Sequence, residues 1–304
     1  MKQRLLLWGE RYLYAPTIFD RVLSILLLPL SFIYCITVFI RFKLSKPIDF
    51  NIPIISIGNL TVGGNGKTPI TISLAKHFAK PAIILRGYGR ESSGMIVVKD
   101  FGNILCDVYK SGDEAMLYAM KLPHAVVVVS EDRAIAIEKA KEMGCSVVFL
   151  DDGYSKHHIK KLDFIISSDR TNSFCLPSGA YREKLWWGKE AIELSEDRDF
   201  FRRVAIVDES EKMALVTAIA KPQRLDRYLP SVVAKYYFSD HHYFRRNELE
   251  EILESSGANS LLVTTKDLVK IAQFDLPISV MDLEIDIDER IVTIAKRYAY
   301  EKDD

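Results

Sequence analysis

The hydrophobic positions divide the chain into two regions. Residues 22–40 form a run of nineteen positions without a charge, bounded on each side by an arginine. At 1.5 Å of rise per residue, a helix of that length spans roughly 28 Å, about the thickness of the hydrocarbon core of a bilayer. After Pro47, short apolar runs alternate with segments of helical periodicity. The pattern therefore predicts one apolar helix over 22–40, followed by a region of alternating strands and helices.

We interpret the apolar run as a membrane-inserted helix, with three alternatives left open. A cleaved signal peptide needs a short apolar region and a small-residue cleavage site, whereas this run is long and ends in Arg41-Phe42-Lys43. A buried core helix of this length without a charge would be unusual in a soluble domain of this size. Pro29, near the middle, allows a kinked helix or a shallow insertion into one leaflet. Residues 1–46 are accordingly expected to form a membrane-associated segment.

Basic residues lie on both sides of the apolar run, so counting them does not fix its orientation. They are Lys2, Arg4, Arg11 and Arg21 before the run, and Arg41, Lys43 and Lys46 after it. The arginines before the run interleave with leucine and aromatic residues. That mixture is typical of a helix lying on anionic lipid head groups, and it also fits a plain surface helix.

The alternating region predicts two α/β units, over 47–200 and 201–304. Predicted strands are 52–57, 82–85, 95–98, 125–129, 146–150, 164–167, 204–207, 232–238, 261–264 and 278–283, and predicted helices are 69–79, 133–143, 222–228 and 247–256. Continuous valine and isoleucine runs joined by helices indicate a parallel sheet that is buried on both faces. Residues 168–201 lack periodicity and are predicted to form a long loop, which in a compact protein is usually functional.

Composition narrows the class of protein without changing this picture. Of 304 residues, 48% are hydrophobic, and Lys+Arg and Asp+Glu both number 41, so the net charge is zero. The lack of a basic excess argues against a nucleic-acid partner. The four cysteines, Cys35, Cys106, Cys145 and Cys175, show no CxxC spacing. We therefore expect neither a disulfide nor a metal site formed by cysteines. We also expect the protein to lie in a reducing compartment.

A glycine-rich loop follows the first predicted strand and opens the first predicted helix. Its sequence is Gly63-Gly64-Asn65-Gly66-Lys67-Thr68. Glycines let successive backbone N–H groups converge on phosphate oxygens, and the helix N-terminus adds partial positive charge. In such a loop the lysine reaches the β- and γ-phosphates and the threonine hydroxyl ligates Mg²⁺. The strict pattern GxxxxGK[ST] fails because position 61 is threonine, but the strand–loop–helix context predicts a phosphate-binding loop.

Charged residues follow several other predicted strands. Asp151 and Asp152 end a buried apolar strand, where carboxylates can hold Mg²⁺ or its waters. Arg86 and Arg133 also follow strands, and their guanidinium groups could bind phosphate or simply face solvent.

A candidate acid–base pair comes from two distant segments. Asp113 and Glu114 precede a predicted helix, where the plain interpretation is an N-cap with an acidic first turn. His241 follows the predicted strand 232–238, in Asp240-His241-His242, and no ligand spacing there completes a metal site. A hydroxyl nucleophile needs a base to take its proton, and an Asp–His pair can do this at neutral pH.

Taken together, these motifs resemble one known family. The segments are 58–69, Arg86-Gly87-Tyr88-Gly89-Arg90, Gly112-Asp113-Glu114, Asp151-Asp152-Gly153-Tyr154, 176–183, Pro222-Gln223-Arg224, Asp240-His241-His242 and Thr264-Thr265-Lys266-Asp267. In order and spacing they resemble the tetraacyldisaccharide 4′-kinases of lipid A biosynthesis, over most of residues 1–270. The chain departs from the family pattern at Tyr154-Ser155-Lys156, and at Thr265, where the family usually has glutamate.

The resemblance implies a reaction, a fold and a location. The reaction is transfer of the ATP γ-phosphate to the 4′-hydroxyl of a lipid-linked glucosamine disaccharide 1-phosphate, giving lipid IVA, with Mg²⁺ as cofactor. The fold is α/β, a P-loop NTPase-like α/β/α sandwich of two α/β units with an N-terminal membrane helix. The location is the bacterial inner membrane, with the catalytic domain on the cytoplasmic face where ATP is available.

The resemblance also implies roles for individual residues. Asp113 and His241 would be the catalytic pair. Gly63, Gly64, Asn65, Gly66, Lys67, Thr68 and Arg133 would bind ATP, while Thr68, Glu114, Asp151 and Asp152 would hold the metal. Arg86 and Glu183 would contact the substrate.

A membrane-tethered P-loop nucleotide switch, or a regulatory ATPase, is the alternative hypothesis. It shares the phosphate loop and the aspartates, so these features do not discriminate. The Asp113/His241 pair favours a transferase, because a switch needs no base for an acceptor hydroxyl. Thr264-Thr265-Lys266-Asp267 lacks the asparagine of the guanine-reading motif.

Overall fold

The protein is described by a computed structural model that covers residues 8–9, 11–63, 66–167, 172–219 and 222–300. The nine helices named within these residues are α1 Ile18–Leu26, α2 Leu28–Leu44, α3 Lys67–Ala75, α4 Val108–Ser111, α5 Asp113–Lys121, α6 Arg133–Glu142, α7 Arg246–Ser256, α8 Thr265–Ile271 and α9 Glu289–Tyr300. Pro222–Tyr228 forms a 3₁₀ helix. The strands form two sheets, with most helices packed on their faces.

The apolar N-terminal run is two helices, which is the kinked form that Pro29 allowed and not one straight helix over 22–40. The side chain of Thr17 caps α1, and α2 begins with Pro29 in its first turn. Proline lacks the backbone N–H that would continue α1, so the helices meet at Leu27 with a bend of 59°. No single helix among the described residues is long and apolar enough to cross a membrane. Only the bent pair α1–α2 meets that test, by length and composition.

The first sheet has eight strands in the described part of the chain. They are β1 Ile54–Gly58, β2 Pro81–Leu85, β3 Ile96–Asp100, β4 Asn103–Ile104, β5 Val126–Val129, β6 Val147–Asp151, β7 Leu162–Ile166 and β8 Ile192–Leu194, in the spatial order β4-β3-β5-β2-β6-β1-β7-β8. Six of them are parallel, and β3 and β4 form an antiparallel edge. The predicted parallel sheet is therefore found, and its four central strands are fully buried.

The second sheet has five strands in the described residues. They are β9 Phe200–Val207, β10 Met213–Thr217, β11 Ala234–Tyr237, β12 Ser260–Thr264 and β13 Ile278–Ile287, in the order β11-β10-β12-β13-β9. Strand β9 is antiparallel to β13 and the other pairs are parallel. The two sheets are also joined by packing, since α9 follows the second sheet in sequence yet buries Ile291 and Ala295 in the core of the first.

Several elements differ from the prediction. Strand β10 and helices α8 and α9 were not predicted, and 222–228 is a 3₁₀ helix instead of an α-helix. The predicted loop 168–201 contains β8 and the first residues of β9. Strand β8 has only three residues, which is too short for a period-two pattern to reveal it.

One expectation about the cysteines is wrong. Cys35 on α2 and Cys175 form a disulfide, with their Cα atoms 5.9 Å apart. Spacing could not reveal this pair, because the two positions are separated by 140 residues and meet only when α2 packs on the body. Cys106 and Cys145 are free, and burial raises the pKa of the Cys145 thiol to about 12.

Candidate active site

The predicted chemical residues of the first unit converge because parallel strands end at one edge of the sheet. In the order of the sheet, β5, β2, β6 and β1 are neighbours. Ile57 of β1 pairs with Asp151 of β6, so the phosphate loop begins beside this carboxylate. Arg86 and Arg133 follow β2 and β5 at the same edge. Such an edge is where α/β proteins commonly bind ligands.

The phosphate loop ends in a left-handed glycine. Gly66, at φ +78°, is the N-cap of α3, and Gly63 also has a positive φ of 107°. The predicted ATP contacts Gly64 and Asn65 lie outside the described residues. Helix α3 starts at Lys67, so its first-turn N–H groups and partial positive charge face the loop.

Lys67 lies among oxygen acceptors and a second cation. Its Nζ is 3.2 Å from Asn59 Oδ1, to which it donates, and 3.6 Å from Asp152 Oδ1. Arg182 donates to both of these residues, at 2.6 Å to Asn59 Oδ1 and 2.9 Å to Asp152 Oδ2. Partial burial would raise the pKa of Asp152, but Lys67 and Arg182 together hold that pKa below its ordinary value. The loop is therefore already held by a network of charges.

Asp151 is a buried carboxylate that interacts electrostatically with both Glu114 and Lys67. Asp151 is 5% exposed, and its Oδ1 has no hydrogen-bond partner among the described residues. Burial, reinforced by the Glu114 carboxylate, raises the pKa of Asp151 to about 7. A buried oxygen of this kind fits a ligand of Mg²⁺. No group of three or more His, Cys, Asp or Glu side chains in the described residues could by itself hold a metal, whereas Mg²⁺ often uses one or two carboxylates with substrate phosphates and water.

Asp113 and His241 form a hydrogen bond that joins α5 to the segment after β11 of the second sheet. Asp113 is the first residue of α5 and is 3% exposed. His241 Nδ1 lies 2.9 Å from Asp113 Oδ2 and 3.0 Å from Oδ1. Because a carboxylate only accepts hydrogen bonds, the ring donates from Nδ1. The geometry is that of a histidine whose tautomer is fixed by a buried carboxylate, as in general-base sites.

Two lysines of α8 complete the surroundings of Asp113, and sequence reasoning assigned neither a role. Lys266 Nζ lies 3.8 Å from Asp113 Oδ2, 3.9 Å from Glu114 and 3.7 Å from Asp240. Lys270 Nζ lies 3.8 Å from Asp113 Oδ2. Burial would raise the pKa of Asp113, but the hydrogen bond of His241 and the two ammonium groups hold it below its ordinary value. The lysines are four positions apart, so they lie on the same face of a helix. That spacing would have indicated a shared role if the sequence had predicted α8.

The remaining predicted residues lie in different environments. Arg133 is 5% exposed at the start of α6, and burial lowers the pKa of its guanidinium. Arg86 is exposed. Glu183 is 2% exposed and does not belong to the phosphate cluster. It pairs with Arg41 of α2 and lies 3.4 Å from His157 Nε2. Its neighbour Arg182 links this second cluster to Asp152.

An open cleft of about 1600 Å³ lies between the sheets. Gly66, Thr68 and Glu114 line it from the first unit, and Lys266 and Arg202 from the second. Arg202 of β9 is a further cation that the sequence prediction missed. It approaches the loop so closely that a Cβ on Gly66 would lie 2.9 Å from its Nη2. The cleft is thus lined by both cationic and acidic side chains.

Comparisons with known proteins show which family the chain resembles. The family described as LpxK, tetraacyldisaccharide-1-P 4′-kinase, matches residues 23–194 and 193–297. The chain is 48% identical to a tetraacyldisaccharide 4′-kinase of Aliarcobacter butzleri, over 96% of each chain. It is 45% identical to one of Helicobacter pylori, over 95% of this chain and 94% of the relative.

A solved structure has the same fold. It is LpxK from Aquifex aeolicus, described as an "apo" form in complex with ATP. The superposition has a TM-score of 0.73 at 26% identity and covers 91% of this chain and all of the other.

Lys270 is predicted to stabilise the fold as well as the site. Its side chain is 1% exposed between Asp113 and Asp267, so Lys270→Met leaves two buried carboxylates without this cation. We expect the free energy of unfolding in urea to fall by about 3 kcal/mol. Lys266→Met, at a position whose side chain is 21% exposed, is the matched control and should cost less than about 1 kcal/mol. Equal losses for the two variants would contradict this account.

Proposed function

This chain belongs to the tetraacyldisaccharide 4′-kinase family, and from that premise we propose how its residues carry out the reaction. The protein is an ATP-dependent kinase that phosphorylates the 4′-hydroxyl of a tetraacyldisaccharide 1-phosphate in lipid A biosynthesis, giving lipid IVA. The proposal is carried by one observation: Gly66 and Thr68 of the phosphate loop line the same cleft as Glu114 and Lys266, and Lys266 lies 3.8 Å from Asp113, the partner of His241.

The nucleotide phosphates bind at the N-terminus of α3. Lys67 neutralises the β- and γ-phosphates, and backbone N–H groups of the segment from Gly63 to Thr68 hold their oxygens. Phosphate oxygens would replace Asn59 and Asp152 as the partners of the Lys67 ammonium. Arg133, at the start of the helix that follows β5, adds positive potential at the same strand edge.

Thr68, Glu114, Asp151 and Asp152 are the residues that would hold Mg²⁺. When bound, the ion would neutralise charge on the β- and γ-phosphates. The orphaned, buried Oδ1 of Asp151 supports this assignment. In the same pocket, Lys266 lies 3.9 Å from Glu114, so this carboxylate is balanced on its other side by a fixed cation.

The acceptor hydroxyl loses its proton to the Asp113–His241 pair. The 4′-oxygen attacks the γ-phosphorus, a new P–O bond forms, and the bond between the γ-phosphorus and the bridging oxygen breaks, so that ADP leaves with those electrons. Asp113 holds the imidazole through Nδ1 and stabilises the positive charge that the pair gains. Lys266 and Lys270 keep Asp113 anionic before the transfer.

Arg86 and Glu183 are proposed to contact the disaccharide substrate. Arg86 is exposed at the edge of the phosphate site, where a guanidinium can bind a phosphate group. Glu183 is bound to α2 through Arg41, on the side from which a lipid would approach.

The two α/β units are proposed to divide near residue 200, with ATP held by the first and the base contributed by the second.

The N-terminal segment is proposed to associate with an anionic membrane surface. Most large apolar side chains of α1 and α2 are exposed, among them Phe19 at 86%, Phe32 at 68% and Leu44 at 77%. An exposed apolar area of this kind needs a partner. We infer that α1–α2 inserts in the bacterial inner membrane from the cytoplasmic face, where ATP is available. A nucleic-acid partner is not part of the proposal, since the net charge is zero.

Lys67→Ala is predicted to abolish phosphate transfer. Wild-type protein with γ-labelled ATP, Mg²⁺ and a membrane lipid extract should move label into an organic-extractable glycolipid, whose mass identifies the product. The variant should move none, because the phosphates lose their principal cation. Lys76→Ala is the control and should retain transfer, because Lys76 also lines the cleft but is the C-cap of α3, at the opposite end of the helix from the phosphate loop. ATP hydrolysis without any label in lipid would overturn the proposed reaction.

His241→Gln is predicted to lower kcat about 10²–10⁴-fold if His241 shares the base role. The neighbouring His242 pairs instead with Glu248, at 3.0 Å, so His242→Gln serves as the matched control and should keep kcat within a few-fold. The measurement is initial rate at saturating ATP and lipid. An unchanged kcat for His241→Gln would remove this residue from the mechanism.

A further inference from the structure

A tight turn presents one tryptophan to solvent beside the N-terminal helices. Lys189 N donates to Trp186 O at 3.0 Å, which places Trp187 and Gly188 at the two central positions of a β-turn. Gly188 has φ +82°, the conformation that glycine adopts without strain at the third turn position. Trp187 is 92% exposed, the most exposed large hydrophobic side chain in the described residues. Folding leaves this large apolar surface in water.

The turn follows a segment, from Ser178 to Glu183, that is hydrogen-bonded to both N-terminal helices. Ser24 of α1 donates to Ser178 O at 2.6 Å, and Ser178 N donates to Ser31 Oγ of α2 at 2.8 Å. Further along, Tyr34 of α2 donates to Arg182 O at 3.1 Å. The segment therefore runs along the body-facing side of the helix pair.

The contacts continue to the turn itself. Arg41 of α2 pairs with Glu183, and the ring of Phe39 lies 5.2 Å from that of Trp186. Lys189, at the other end of the turn, is held by Asp163 at 3.0 Å. The turn is thus fixed at both flanks, and Trp186, the residue before Trp187, contacts Phe39 of the exposed apolar surface of α2.

Charge on the helix pair favours one kind of partner. From residue 11 to residue 46 the chain has five basic residues and one acidic residue. The acidic residue, Asp20, is 4% exposed and is paired with Arg11. An apolar surface with a basic margin is the arrangement of elements that lie in the interface of an anionic bilayer. Tryptophan is enriched at that depth because its ring is apolar and its N–H is polar.

We propose that Trp187 is a second membrane anchor, which inserts at the boundary between head groups and acyl chains beside α1–α2. The proposal rests on the membrane association proposed above and adds an element from the catalytic body. Trp187 lies four residues after Glu183, within the segment that also carries Arg182. Insertion of the turn would therefore hold Glu183, a proposed substrate contact, at a fixed depth relative to a lipid whose acyl chains remain in the bilayer.

Trp187 fluorescence provides the direct test. The chain has three tryptophans, so Trp8→Phe with Trp186→Phe leaves Trp187 as the only one in an otherwise full-length protein. Vesicles of equal parts phosphatidylglycerol and phosphatidylcholine are added, with or without lipids brominated at different depths of the acyl chain. We expect a blue shift of the emission and quenching that is strongest for the shallow bromine positions.

The outcomes separate this inference from the proposed membrane association. Protein that sediments with vesicles while Trp187 is neither shifted nor quenched would overturn the anchor and leave α1–α2 as the membrane contact. Protein that does not bind vesicles at all would overturn both. A blue shift that grows with protein concentration in the absence of vesicles would assign the surface to a second copy of the chain, and would also overturn the anchor.

The Trp187→Ala variant tests the anchor through both vesicle binding and enzyme kinetics. We expect vesicle partition to weaken about tenfold and KM for lipid substrate in vesicles to rise, with KM for ATP and the maximal rate unchanged. Ile104→Ala is the matched control, because Ile104 is 46% exposed on β4, at the opposite edge of the same sheet from β8. If the two variants partition and react alike, Trp187 has no special role at the membrane.

Discussion

The arrangement of the site depends on one buried carboxylate, that of Asp113. It is 3% exposed, at the start of a helix of the first unit, and its partners come from the second unit. His241 binds it at 2.9 Å, and Lys266 and Lys270 each lie 3.8 Å away. A buried anion is costly unless it is paired, so the lowest-energy arrangement is the one in which both sheets meet at this residue. The same carboxylate brings His241 together with Lys266, which lines the cleft with Gly66 and Thr68 of the phosphate loop.

Other contacts between the units support this alignment. Lys121 of α5 pairs with Asp282 of β13 at 2.5 Å, and Ser73 of α3 donates to Ile285 O at 2.8 Å. Helix α9 buries apolar residues in the core of the first unit. On the opposite side, Arg182 binds Asp152 while its neighbour Glu183 pairs with α2. The nucleotide site is therefore connected through a short segment to the helices that we propose meet the membrane.

Much of the first unit was predictable because its signals are local. A run of four valines such as Val126–Val129 favours a buried strand, and the parallel order then brings Asp151 beside β1, which leads into the loop that contains Lys67. The apolar run was also visible. Its division at Leu27 was not, because the sequence alone does not show that Pro29 lies in the first turn of a second helix. Lys270 and Arg202 were not predicted, because their importance arises from contacts across the cleft that no spacing along the chain reveals. The Cys35–Cys175 disulfide was missed for the same reason.

A double-mutant cycle on Asp113 and His241 tests the central claim most directly. The kcat/KM for the lipid acceptor would be measured for Asp113→Asn, for His241→Gln and for the two substitutions together. If the residues act as one pair, the double variant will be about as slow as the slower single variant, because residues that act as a unit are strongly non-additive. If the two losses instead multiply, Asp113 and His241 act independently, and the contact between the sheets is not what assembles the site.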